Sequence, residues 1–383
     1  MLTIQSRAHA YTVEFHPTLP LALAAVARPD RAVWLVDRRF AALHAAVLDA
    51  VAPADRRVTI EATEEAKSFE ALAPVFIGLL ERGLKRDGLL VVVGGGVLQD
   101  IGCFVASVLF RGLRWELVPT TLLAQADSCI GSKSSVNIGP YKNQIGTFYP
   151  PHRVLLTSAV LATLPPDEIR SGFGEVIKLQ LLAGEPGYRE LMADLAGFSG
   201  QPELLAKWVA RSLAVKQPYI EADEFDRGVR NLLNYGHTFG HAYESATHYG
   251  IPHGISVVLG MLTATYLSVR LGLVPAAHYE ELKRDLAPWH RPFGETLRQA
   301  PLAAVFTAIR HDKKNTGTAV NCILTRGPGR MEKRPVDFER ELVPPVTEFI
   351  GNELVIGVSA LSALFLVLGA SFLVLGSWCF VLG

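Results

Sequence analysis

The segment Asn234–His241 reads NYGHTFGH and sets His237 and His241 four residues apart, on one face if the segment is helical. His253 follows in PHG, and Glu175 lies upstream in FGEVIK. Two or three imidazoles with one carboxylate form a donor set for Zn²⁺ or a similar divalent ion, with a position left open for substrate. An HxxxH pair also occurs on ordinary helices; here Gly236, Gly240 and Gly254 reduce the crowding around the side chains. A second chemistry belongs to Gly94-Gly95-Gly96, which follows the apolar run LLVVV and leads into VLQDIG. Unhindered backbone N–H groups at the start of a helix favour a phosphate or pyrophosphate, although a tight turn with no ligand has the same residues. Asp37 ends another apolar run, where it either accepts hydrogen bonds from a ribose or caps a helix. Cations and carboxamides gather in the same stretches: Lys133 and Asn137 in GSKSSVN, Lys142 and Asn143 in YKNQIG, then Lys178, Lys216, Arg230, Asn234, Lys313 and Lys314. Set among apolar and glycine-rich residues, they suit a phosphorylated, acidic, polyhydroxylated substrate.

These residues need a scaffold, and the pattern supplies one. Ala32–Val36, Arg57–Ile60, Leu89–Val93 and Trp115–Val118 read as strands, with a helical period between Lys67 and Arg86 and another from the glycines to Phe110. Strand, helix, strand in this rhythm predicts βαβ units and a parallel sheet. After about Pro150, Pro166–Leu182, Pro202–Val215 and Ile255–Leu271 read as helices and strand-like runs become rare. Gly327-Pro328-Gly329 predicts a late turn, and Pro344-Pro345 predicts a break in any helix there. The expected division is an α/β domain over 1–160, a mostly helical domain over 161–350 and a tail over 351–383.

The whole chain has 383 residues, 49% hydrophobic and 19% charged, with 37 Lys+Arg against 37 Asp+Glu. That balance excludes a disordered or collagen-like chain and a basic nucleic-acid binder, and an anionic ligand must be held by a local cluster of cations. A mean hydropathy of +0.25 is high for such a chain. Part of the excess lies in residues 354–383, which carry no charge and are long enough to cross a bilayer, to pack as a buried terminal helix, or to stand apart from the folded body. The first residues show no basic stretch followed by an apolar core, so no secretory signal is expected. Four scattered cysteines without a CxxC pair suggest neither a disulfide framework nor a cysteine zinc site, and a cytoplasmic setting is the expectation, with membrane association through the tail as the variant.

Taken in order, GGGVLQDIGCFVAS, FRG, VPTTLLAQADSCIGSKSSVN, YKNQIGTFY, TLP, GEVIK, DEFDRGVRNLLNYGHTFGHAYE and PHG resemble the sugar phosphate cyclases, most closely their 3-dehydroquinate synthase branch, from about Tyr11 to Leu324. The resemblance implies a Rossmann-like NAD-binding domain followed by a mostly α-helical metal-binding domain, with the active site between them. It also implies catalytic NAD, one divalent metal ion (Zn or Co) and a homodimer. The implied reaction converts 3-deoxy-arabino-heptulosonate 7-phosphate to 3-dehydroquinate and phosphate by transient oxidation, phosphate elimination, reduction and aldol closure. A cyclase acting on sedoheptulose 7-phosphate or another phosphorylated sugar is the alternative.

Carried over by motif, the metal ligands are Glu175, His237 and His253, which moves His241 from the metal to the substrate phosphate. NAD contacts fall on Asp37, Glu64, Lys67, Gly94, Gly95, Gly96, Asp100, Thr120 and Thr121. Substrate contacts fall on Asp127, Lys133, Asn143, Lys178, Lys216, Arg230, Asn234, His241 and one of Lys313 or Lys314, with Glu175 and His253 also touching substrate. Arg111 matches an arginine that reaches the substrate of a neighbouring subunit. Arg230 and Lys216 match the pair that binds a carboxylate, which favours the heptulosonate. Four positions depart from the family pattern: Gln99 where a small residue is common, Ser132 for a glycine, Gly174 for an alanine and Ile255 for a glutamate.

Overall fold

The structure, a computed structural model, describes residues 1–139, 141–311 and 319–354. Its first half is built on a seven-stranded sheet of β1 (Leu2–Ile4), β2 (Tyr11–Phe15), β3 (Ala32–Asp37), β4 (Arg57–Ile60), β5 (Leu89–Gly94), β6 (Trp115–Pro119) and β9 (Arg153–Leu156). The spatial order is β1-β2-β9-β6-β5-β3-β4. All neighbours pair in parallel except β1 with β2. Every residue of β5 is buried, as its unbroken apolar run requires of a strand covered on both faces. Full burial of each Leu and Val there contributes about 1.5–3 kcal/mol. From β3 the chain goes outward to β4 and then crosses back to β5 on the other side of β3, so the strand order reverses between β3 and β5. The crevice beyond the carboxyl ends of those two strands is where open parallel sheets take ligands. Asp37 and Gly94 close those two strands.

A small hairpin, β7 (Val136–Ile138) with β8 (Tyr141–Ile145), stands apart from the sheet and carries Asn137 and Asn143. The second half is helical, through Pro166–Ala183, Glu185–Ala196, Pro202–Ala222, His237–Ala246, His253–Arg270, Ala276–Gln299 and Leu302–Arg310. Several elements were not read from the sequence, among them β1, β2 and β9 of the sheet and the Ala276–Gln299 helix, which runs through Pro288 and Pro292. β10 (Ala319–Thr325) and β11 (Met331–Asp337) form an antiparallel hairpin around the Gly327-Pro328-Gly329 turn. A helical run also continues through Phe338–Leu342, Val343–Glu348 and Phe349–Glu353, and Pro344 and Pro345 follow the wider π-helical turn over Phe338–Leu342 instead of breaking it. No helix among the described residues is long and apolar enough to cross a membrane. The apolar run after Leu354 and the pair Lys313 and Lys314 lie outside the described residues.

Candidate active site

Glycine sets the geometry of the helical half. A Cβ on Gly174 would meet the Gly254 carbonyl at 2.1 Å, and one on Gly254 would meet the Ser171 carbonyl at 1.8 Å. The Pro166–Ala183 and His253–Arg270 helices therefore cross at backbone contact, which brings Glu175 and His253 together. Gly260 repeats the device, since a Cβ there would lie 2.0 Å from the Gly236 carbonyl, next to His237.

At this crossing His253 Nε2 is 3.1 Å and His237 Nε2 3.4 Å from Glu175 Oε1. The imidazoles of His237, His241 and His253 offer ligand atoms that all lie within 4.8 Å of one another. His237 has Nδ1 3.3 Å from the Tyr235 carbonyl, so the proton belongs on that nitrogen and the Nε2 lone pair faces Glu175. Burial pushes the His237 imidazole below its ordinary value, which keeps it neutral. Burial alone would raise the Glu175 carboxyl, but Lys178 and the imidazoles outweigh it and hold the group well below the carboxylate range. For His253, burial is outweighed by Glu175 and Glu244, and the ring is pushed up to about 10. An anionic oxygen and converging imidazole nitrogens fit a divalent cation, which would relieve the crowding of electron pairs.

Beside this cluster, Lys178 Nζ contacts Glu175 and lies 3.3 Å from Asp127 Oδ2. Lys216 Nζ donates to the Asp127 carbonyl at 2.7 Å and pairs with its carboxylate. Both lysines are buried, yet burial is outweighed by Asp127 and Glu175 at Lys178, which is raised. At Lys216 burial wins over Asp127 and the ammonium is pulled down. Arg230, 5% exposed, donates to the backbone carbonyls of Gly131 (2.8 Å) and Glu224. A buried arginine therefore does not by itself demand a substrate carboxylate, as its bonded partners here are neutral carbonyls. Lys133 pairs with Asp226, and Asn234 Nδ2 donates to the Asn231 carbonyl.

A second network joins residues that the resemblance assigns to NAD. Lys67, 6% exposed, donates to Asp100 Oδ2 and Asn143 Oδ1, each at 3.0 Å, and lies 3.4 Å from Glu64. Glu64 accepts from Asn137 Nδ2, while Asp100 accepts from the Ser135 N–H and hydroxyl. Above them starts the Gly96–Val108 helix, capped by Gly95 with no side-chain cap, so its first N–H groups point outward. A Cβ on Gly94 would strike Leu98 at 2.6 Å and one on Gly95 would strike Thr121 at 2.8 Å, whereas Gly96 has only Ser128 Oγ, at 4.0 Å. Gly96 thus opens onto the switch-point crevice, a cradle that fits a pyrophosphate. Thr120 donates its N–H to Gly94, and Thr121 Oγ1 accepts from Ala124. Asp37 Oδ1 caps the Arg38–Leu43 helix by accepting from Phe40, so the capping alternative holds for that oxygen.

Arg111 is exposed, on a turn after the far end of the Gly96–Val108 helix, roughly 20 Å along it from the cradle. Phe110, Arg111 and Gly112 have φ of 54°, 66° and 120°, a strained run that displays the guanidinium. Sequence reasoning missed Asp226, Glu224 and Glu244. Glu244 was findable, since it lies seven residues after His237 on the same helix; the Asp226 and Glu224 carboxylates meet Lys133 and Ser132 through tertiary contacts.

Profiles of the 3-dehydroquinate synthase N-terminal and C-terminal regions match residues 57–171 and 172–315. The 3-dehydroquinate synthase of Xylella fastidiosa (strain 9a5c) is 37% identical over 342 residues, covering 85% of this chain and 86% of that protein. The 3-dehydroquinate synthase of Paracoccus denitrificans (strain Pd 1222) is 36% identical over 320 residues, covering 80% and 86%. Among solved structures, 2-epi-5-epi-valiolone synthase from Streptomyces hygroscopicus subsp. jinggangensis, with NAD⁺ and Zn²⁺ bound, superposes with a TM-score of 0.74 at 26% identity, covering 88% of this chain and 96% of that one. A 2-deoxy-scyllo-inosose synthase complexed with carbaglucose-6-phosphate, NAD⁺ and Co²⁺ gives 0.76 at 22%, covering 91% and 99%, a likeness of fold. The fold is that of the sugar phosphate cyclases. Within that class the chain belongs to the 3-dehydroquinate synthase family.

Proposed function

We propose that the chain is an NAD- and divalent-metal-dependent carbon–oxygen lyase that converts 3-deoxy-arabino-heptulosonate 7-phosphate to 3-dehydroquinate and phosphate. The observation that carries this reading is the meeting of Glu175 with His237 and His253, beside the buried cations Lys178 and Lys216, which Asp127 links to them. A divalent ion held by Glu175, His237 and His253 supplies Lewis acidity to a substrate hydroxyl. NAD, with its pyrophosphate on Gly94–Gly96 and contacts from Asp37, Glu64, Lys67, Asp100, Thr120 and Thr121, supplies a reversible hydride acceptor.

This chain's residues do the rest by position and charge. Asp127, fixed between Lys178 and Lys216, accepts hydrogen bonds on both sides and faces the metal cluster through Lys178. Lys133, Asn143, Asn234 and His241 hold the substrate phosphate and stabilise the charge that grows as it leaves. Lys216 and Arg230 take the carboxylate, and the burial of Lys178, Lys216 and Arg230 keeps water from weakening those contacts. Lys313 or Lys314 adds a further cation. Arg111 reaches the site of a second copy, so the working unit is a homodimer.

The division into an NAD-binding part (1–160), a metal and substrate part (161–350) and an apolar tail (351–383) belongs to the same proposal. So does a cytoplasmic setting, in keeping with Cys103, Cys129 and Cys322 as buried thiols. Metal-loaded protein with NAD should release phosphate from the heptulosonate phosphate with no net NADH; no release overturns the reading. Run side by side, sedoheptulose 7-phosphate should be the poorer substrate. Arg230→Ala should cut kcat/KM for the heptulosonate selectively; equal losses on both sugars would remove the carboxylate from that role.

A further inference from the structure

The imidazole of His253 is held at both ends. Nε2 faces Glu175 Oε1 at 3.1 Å, and Nδ1 faces Glu244 Oε1 at 3.2 Å. Glu244 sits on the His237–Ala246 helix, so His237, His241 and Glu244 recur at i, i+4 and i+7 on one face of one element. Only 14% of its side chain is exposed. Its backbone is tied as firmly, because the Glu244 carbonyl accepts the Tyr249 N–H at 2.8 Å where the chain turns back toward His253. That turn passes through His248 and Tyr249, both non-glycine residues with positive φ, 50° and 61°. Two left-handed residues in succession cost on the order of 1–3 kcal/mol each, so the return loop is held against its own preference by the contacts it makes. One result of the strained return is that the His253 ring lies between two carboxylates.

We propose that Glu244 is a positioning residue of the metal centre: its carboxylate accepts a hydrogen bond from the Nδ1–H of His253, which fixes the tautomer and aims the Nε2 lone pair at the ion. The proposal rests on the metal reading of Glu175, His237 and His253. His237 is oriented in the parallel way by the Tyr235 carbonyl, a neutral acceptor, so the two imidazoles differ in basicity by design of their outer partners. Position 255, two residues after His253, is a fully buried isoleucine, which leaves Glu244 as the acid on that side of the ring among the described residues.

The test is Co²⁺ binding by full-length protein, read from chelator competition and from the visible d–d spectrum, with no turnover involved. Glu244→Ala should weaken Co²⁺ binding by about 10–100-fold and alter the spectrum, as loss of such outer partners does. Glu244→Gln keeps an oxygen that can accept the hydrogen bond from Nδ1–H but loses the charge, so it should recover the wild-type spectrum and only part of the affinity. A Glu244→Ala protein with wild-type affinity and spectrum overturns the proposal. If Glu244→Ala does not fold by circular dichroism, Glu244→Gln decides, and an unchanged Co²⁺ dissociation constant overturns it. His237→Ala separates the two levels. If that variant binds Co²⁺ like wild type, the metal reading itself falls; if it does not, a null result at Glu244 removes only this inference.

Discussion

A methyl group at position 174 would stand 2.1 Å from the Gly254 carbonyl, a backbone atom with no room to yield. Gly174 adjoins Glu175, and Gly254 adjoins His253, so separation of the two helices moves one ligand away from another. Gly174→Ala should therefore cost about 1–3 kcal/mol of stability, the usual toll of overpacking, and should weaken Co²⁺ binding at least severalfold. Urea unfolding and chelator competition measure the two effects; a fall in stability with unchanged metal affinity would show that the crossing does not set the ligand distance. The resemblance implies alanine at this position; here glycine lets the two helix backbones meet. Ser132, another departure, has φ of 65°, a backbone conformation that suits the glycine of the pattern. Its hydroxyl donates to Glu224 at 3.1 Å, a contact that glycine lacks and that offsets part of the strain.

At the scale of elements, the start of the Gly96–Val108 helix separates enclosed glycines from an open one. Gly94 and Gly95 have neighbours that a side chain would strike, while a Cβ on Gly96 meets only Ser128 Oγ, at 4.0 Å. Gly96→Ala should leave thermal stability unchanged or slightly raised, since alanine gains about 0.5–1 kcal/mol over glycine in a helix. It should also raise the NAD dissociation constant roughly tenfold by filling the cradle, as fluorescence or calorimetric titration would read. Unaltered NAD binding would place the pyrophosphate elsewhere. β3 to β6 and the helices over Pro166–Ala183, Pro202–Ala222 and His253–Arg270 were legible because their apolar runs and periods are local properties, whereas β2, β9 and the Ala276–Gln299 helix, which carries Pro288 and Pro292, were not read. Nor were β7, β8 and β11, polar strands that owe their form to the partner strand rather than to their own pattern, or β10, whose apolar run was overlooked. The candidate metal ligands were visible as residue types, but His241 was ambiguous for a physical reason. It shares a helical face with His237 and lies within ligand distance of it and of His253, so spacing alone cannot divide metal from anion.

For the whole molecule, sensitivity to acid follows from a buried histidine held neutral on the Ala276–Gln299 helix. Burial, with Arg291 and Lys283 nearby, pushes His290 down to about 4, and both its ring nitrogens are buried without hydrogen-bond partners among the described residues. Because the folded value lies below the unfolded value near 6.5, the unfolded chain takes up the proton first, and stability falls as pH drops from 6.5 toward 4. By pH 4 the loss from His290 is on the order of 3 kcal/mol. His290→Leu should flatten that limb in urea unfolding, and an unchanged slope would assign it to other groups. The assembly leads to a different experiment. Arg111 stands on a strained, exposed turn at the opposite end of the helix from the cradle, so a substrate contact from it is more naturally made across a subunit boundary than within its own chain. In a dimer with two-fold symmetry, each site would then use the metal ligands of one copy and the Arg111 of the other. Arg111→Ala and His237→Ala should each be inactive alone, the first with normal metal binding. Mixed after partial unfolding and refolding, half of the dimers are hybrids, and each hybrid regains one intact site, so about a quarter of wild-type phosphate release should return. No recovery, with hybrid dimers demonstrated by differential tagging, would mean that Arg111 serves its own chain or none.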